Sequence, residues 1–135
     1  MSCRRSIGSA AKKLGLAFAL SVAVCGAAAL TTAEGASAIP QVSWGALPPQ
    51  AQATHRLILE GGPFAYPHKD GSVFGNREKL LPVQPRGYYR EYTVKTPGSR
   101  DRGARRLVCG GMQTTKPEVC FYTSDHYASF QRVVQ

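Results

Sequence analysis

Acidic side chains are scarce: 8 aspartates and glutamates stand against 17 lysines and arginines in 135 residues, a formal net charge of +9. That balance favours polyanionic partners, nucleic acid, anionic membrane or acidic polysaccharide, without choosing among them. Histidine occurs three times and cysteine four times, with no CxxC pair. Zinc-ligand spacing is therefore missing, and neither a metal nor a cofactor is expected. No repeat or low-complexity segment follows Ala38.

Long apolar runs are also rare. The one example, Leu14 to Leu30, follows Arg4, Arg5, Lys12 and Lys13 and precedes Ala36-Ser37-Ala38. Positive, apolar and small-residue regions in that order are the layout of a secretory signal peptide. A retained membrane anchor is the alternative, but the run is rich in alanine and glycine rather than leucine and isoleucine. Residues 1–38 are thus expected to be a leader, and residues 39–135 one secreted domain with no membrane association after cleavage. Removal of the leader leaves 13 basic and 7 acidic residues, a net charge of +6. It also leaves only Cys109 and Cys120, which in an oxidising compartment are either one disulfide or two free thiols.

Leu47-Pro48-Pro49 followed by Gln50 to Glu60 predicts a helix, with proline in its first turn and Gly61-Gly62 at its end. Ala51, Thr54, Leu57 and Ile58 share one face of it. A short strand is expected at Ser72-Val73-Phe74, after a turn at Asp70-Gly71. A clear strand runs from Gly87 to Thr96, with Tyr89, Glu91 and Thr93 on one face. A strand over Ala104 to Gly110 follows a basic turn, then a strand at Phe121-Tyr122-Thr123, and a last strand over Tyr127 to Val133. One helix followed by sequential strands indicates an α+β fold, with the N-terminal helix packed on a small antiparallel sheet.

Glu91 sits mid-strand, where a carboxylate needs solvent or a partner. Arg102 and Arg106 flank the next turn, and His126 lies between Asp125 and Tyr127. A carboxylate, a histidine and two arginines are the parts needed to cleave a phosphodiester without metal. The carboxylate takes a proton, the histidine gives one, and guanidinium groups stabilise phosphoryl charge. Spacing permits that set without proving it. The alternative is a non-catalytic exported module that binds RNA or another polyanion.

The segments Ala46-Leu47-Pro48-Pro49, Gly62-Pro63-Phe64, Asn76-Arg77-Glu78, Tyr88-Tyr89-Arg90-Glu91-Tyr92-Thr93-Val94, Thr96-Pro97-Gly98, Arg105-Arg106 and Asp125-His126-Tyr127-Ala128 occur in this order. In this the chain resembles the bacterial guanyl-specific ribonucleases of the barnase and ribonuclease Sa type. The resemblance implies a secreted, monomeric endoribonuclease acting on single-stranded RNA. It places the general base at Glu91, the general acid at His126 and the phosphate arginines at Arg102 and Arg106. It places guanine recognition at Glu78, Asn76 and Arg77, with aromatic stacking from Phe74 and Tyr127. A barstar-like inhibitor protein inside the cell is a partner such enzymes often need.

The pattern is broken in three places. One similar member of that family joins its two ends by a disulfide, whereas Ser43 stands at the first position here and the sequence ends at Gln135 without a cysteine; Cys120 is instead available to Cys109. Gly75 replaces a polar residue beside the guanine loop. Lys69, Arg86 and Arg90 add positive charge expected to favour the RNA backbone at low salt.

Overall fold

Proline and glycine bracket the single helix in the computed structural model, which describes residues 38–135. The leader expected over residues 1–38 thus lies, save for Ala38, outside the described residues. Helix α1 spans Pro49–Glu60, and Gly61 ends it in the left-handed conformation (φ 84°), donating its N–H back to Leu57 and Ile58. Ala51, Thr54 and Ile58 are its buried residues. Thr54 also donates its hydroxyl to the Thr93 carbonyl at 3.1 Å, joining helix to sheet inside the core.

Six strands form one sheet: β1 Gln41–Ser43, β2 Ser72–Val73, β3 Tyr89–Thr93, β4 Arg106–Gly110, β5 Val119–Thr123 and β6 Gln131–Val134. Their order is β1-β6-β5-β4-β3-β2. All neighbours are antiparallel except β1, which pairs parallel with β6. The α+β architecture is as expected, but the sheet is mixed because β1, absent from the sequence reading, closes it at one edge.

Alternation along the strands divides the core. Leu47, Ala51 and Ile58 pack with Tyr92, Val94, Leu107, Cys109, Cys120 and Tyr122 on the helix side. Leu81, Tyr89, Val108, Phe121 and Phe130 fill the other side. Glu91 pairs with Val108 and Thr93 with Arg106, so the polar residues of the second face lie together on neighbouring strands. Cys109 and Cys120 are directly opposite each other on β4 and β5 and form a disulfide. Closing so short a loop constrains the unfolded chain by about 2–4 kcal/mol.

The last strand is shorter than the expected Tyr127 to Val133. Asp125 accepts bonds from the Thr123 hydroxyl and from the Ser129 N–H and hydroxyl. His126 and Tyr127 adopt positive φ, 55° and 71°. That local turn takes residues 124–129 out of the sheet, and pairing resumes only at Gln131.

Candidate active site

Strand β3 supplies the centre. The Glu91 side chain is only 17% exposed and bonds at both oxygens. Arg102 donates to Oε1 at 3.3 Å, and the Tyr127 hydroxyl donates to Oε2 at 2.7 Å. Burial, then the bond to Glu91 and its charge, push the Tyr127 phenol up to about 12, so it keeps its proton and remains a donor.

Arg102 is held from behind by a relay. Its Nε donates to the Thr93 hydroxyl at 2.7 Å, and that hydroxyl donates to Asp70 Oδ1 at 2.6 Å. The same Asp70 oxygen accepts the Thr93 N–H at 2.7 Å and lies 3.6 Å from the Arg102 guanidinium. The Asp70 side chain is 2% exposed, and its other oxygen accepts the Tyr66 N–H. The turn that carries Arg102 needs glycine at its next residue: Gly103 has φ +64°, and a Cβ there would collide with the Thr96 side chain.

Arg106 comes from the first residue of β4 and is 2% exposed. One of its terminal nitrogens donates to the carbonyls of Gly103 and Arg105, while its Nε donates to no group among the described residues. The ion pairs among the described residues are those of Arg102, so the buried Arg106 guanidinium takes part in none of them. A buried cation of that kind is costly, and an anion is its natural complement. Its guanidinium lies 6.0 Å from the Tyr127 ring centroid.

His126 is exposed at the rim, and its backbone N–H donates to the Ala104 carbonyl. Its ring centroid is 4.9 Å from that of Tyr127. The loop is fixed by Asp125, whose carboxyl is held down to about 2 by its bonds from Ser129 and Thr123.

The residues expected to read guanine lie on one loop. Phe74, Gly75, Asn76, Arg77 and Glu78 line a pocket of about 530 Å³, with Tyr89 also in its wall. Asn76 clasps Leu81 at both ends: its amide nitrogen donates to the Leu81 carbonyl and its oxygen accepts the Leu81 N–H. The positive φ of Asn76 (45°) suits that turn, as asparagine tolerates it better than most. Tyr127 does not line this pocket. Its ring stacks on Phe74 (5.2 Å between centroids, 29° between planes) while its hydroxyl serves Glu91, so it bridges pocket and centre.

Gly75 is outside the left-handed region, and a Cβ there would meet Arg77 Cγ at 3.7 Å, an ordinary contact. Gly75→Ala is therefore expected to raise stability by about 0.4–1 kcal/mol in urea unfolding, through the unfolded chain's lost freedom. A destabilised variant would show that the loop requires glycine. Of the additional cations, Arg86 lines the pocket and Lys69 is exposed. Arg90 departs from expectation. It lies on the helix side of β3, half-buried, with its guanidinium bonded to the Gly71 carbonyl at 2.7 Å, and so is not a free contact for RNA.

Asp70, Thr93 and Tyr66 were not among the sequence candidates. Asp70-Gly71 signals a turn, and nothing in the sequence shows that the aspartate folds inward beneath an arginine. Among the described residues, no group of three histidine, cysteine or acidic side chains is placed to hold a metal ion.

A family profile described as ribonuclease matches residues 29–134. The chain belongs to the ribonuclease family. It is 56% identical over 96 residues to guanyl-specific ribonuclease Sa3 of Kitasatospora aureofaciens, covering 71% of this chain and 64% of that protein's length. It is 51% identical over 98 residues to guanyl-specific ribonuclease St of Saccharopolyspora erythraea, covering 73% of this chain and 91% of the other. Among solved structures it is similar to ribonuclease Sa2 with guanosine-2'-cyclophosphate: 46% identity, TM-score 0.64, 72% of this chain and 97% of that one.

Proposed function

We propose that this ribonuclease is an endonuclease cutting single-stranded RNA 3′ to guanosine, exported after cleavage behind Ala38 and acting as a monomer without a metal. The observation that carries the reading is the carboxylate of Glu91, held by Arg102 and Tyr127 beside the buried cation of Arg106. The guanine-specific names of its relatives, and the cyclic guanosine phosphate bound by one of them, fit the same reaction.

In the first step Glu91 takes the proton of the ribose 2′-hydroxyl, and the resulting oxygen attacks the adjacent phosphorus. The bond to the 5′-oxygen of the next nucleoside breaks, and that oxygen takes a proton from His126. Arg102 and Arg106 balance the charge that gathers on the phosphoryl oxygens. The product is a guanosine 2′,3′-cyclic phosphate. Water opens it in the second step, with His126 taking a proton and Glu91 giving one. DNA lacks the 2′-hydroxyl and is left intact.

Guanine offers two neighbouring N–H donors on its Watson–Crick edge, and the Glu78 carboxylate accepts both; adenine lacks that pair. Backbone amides around Asn76 and Arg77 face its carbonyl oxygen, and Phe74 provides a stacking surface. Initial rates on GpC and ApC in EDTA, taken across pH, test the whole reading. GpC alone is cleaved, with a bell-shaped profile, because one group must be ionised while the other is protonated. A rate rising monotonically into alkali, or equal cleavage of ApC, would overturn it.

A further inference from the structure

We infer that Tyr66 forms a second base-binding platform, for the nucleoside that follows the scissile phosphate. The inference rests on the proposed reaction and extends it from the guanosine side to the leaving side.

Direction along β3 carries the argument. Tyr89, Glu91 and Thr93 succeed one another on the same face, at about 7 Å per step. Tyr89 is in the wall of the guanine pocket, and Glu91 is where the 2′-oxygen must lie. The next nucleoside therefore lies toward Thr93. The acid belongs at that end too, and His126 is anchored there through Ala104, in the segment joining Arg102 to Arg106.

Tyr66 stands at that end. Its ring centroid is 5.9 Å from the Arg102 guanidinium carbon, and the residue is 37% exposed. Its position is fixed rather than loose. The Tyr66 N–H donates to Asp70 Oδ2, and its carbonyl accepts from the N–H groups of Lys69 and Asp70 at 2.8 and 2.7 Å. The aspartate that backs Arg102 thus also fixes the turn that carries Tyr66. Among the described residues the Tyr66 ring packs on no other aromatic ring, unlike Phe64 against Tyr92 or Phe74 on Tyr127. An exposed aromatic ring held beside a phosphate-binding arginine suits a nucleobase, because every base has a face to stack. Lys69, on the same turn, is exposed and adds positive charge there.

Two reactions of one enzyme separate this role from a structural one. Cleavage of GpA has a leaving nucleoside, whereas hydrolysis of guanosine 2′,3′-cyclic phosphate has none. In Tyr66→Ala, kcat/KM for GpA falls fivefold or more, the smallest effect expected for a lost base stack. Hydrolysis of the cyclic phosphate stays within twofold, which also reports that the variant is folded. Tyr66→Phe restores GpA cleavage, and Tyr66→Leu, which keeps apolar bulk without a π face, behaves as the alanine variant. Equal losses on both substrates in the folded leucine variant would mean that Tyr66 acts only through Arg102, and unchanged rates on both would mean it binds nothing. Either result overturns the inference. A wild-type protein inactive on both substrates would instead overturn the proposed reaction.

Discussion

Glu91→Gln lowers kcat for GpC cleavage by about 10²–10⁴-fold and changes KM little. The glutamine has the same shape and still offers an oxygen to Arg102, so the site keeps its form while losing the group that takes the proton. Tyr127 can turn its hydroxyl to accept from the new amide, since its proton is not otherwise committed once the carboxylate is gone. Unfolding midpoints of variant and wild type are expected to be close. Steady-state kinetics on the dinucleotide and on the cyclic phosphate measure the effect, and both reactions fall because Glu91 serves each step. A loss under tenfold on both substrates would remove Glu91 from the role of base.

Asp70→Ala produces the largest loss of stability, about 3–5 kcal/mol in urea unfolding. The aspartate accepts the Thr93 N–H, the Thr93 hydroxyl and the Tyr66 N–H, and faces Arg102. Alanine leaves those donors without an acceptor where the aspartate side chain, 2% exposed, had been. Small domains have about 5–15 kcal/mol in total, so the change takes a large share of it. Asp70→Asn keeps the volume but turns an N–H₂ toward donors, and recovers only part of the loss. A destabilisation under about 1 kcal/mol for alanine would show that water or a shifted arginine replaces the carboxylate.

The parts of the fold legible in the sequence were those with local signals. Pro48-Pro49 and Gly61 mark the helix ends, and the run from Tyr88 to Val94 can hardly be anything but a strand. Glu91 stood out because a carboxylate is out of place in such a strand, and the register does put Arg106 beside it, opposite Thr93. Strand β1 was missed because three residues carry no periodicity and their partner is at the far end of the chain. The sequence puts His126 at a turn but starts the last strand too early, at Tyr127, because two successive non-glycine residues with positive φ leave no mark in composition; Asp125 makes them possible from one side and Thr123 from the other. The guanine loop became readable only through family resemblance. Its shape depends on Asn76 clasping Leu81, a contact that no periodicity encodes. The contacts of Tyr127, its ring on Phe74 and its hydroxyl on Glu91, are likewise fixed by tertiary structure alone.

The most direct test of the central claim is to incubate the purified protein, in EDTA, with an RNA oligomer containing one guanosine and to weigh the fragments. A single cut 3′ to that guanosine, first appearing with a 2′,3′-cyclic phosphate end, is the predicted result. Intact RNA bound by a folded protein, or cuts scattered among other nucleotides, would contradict it.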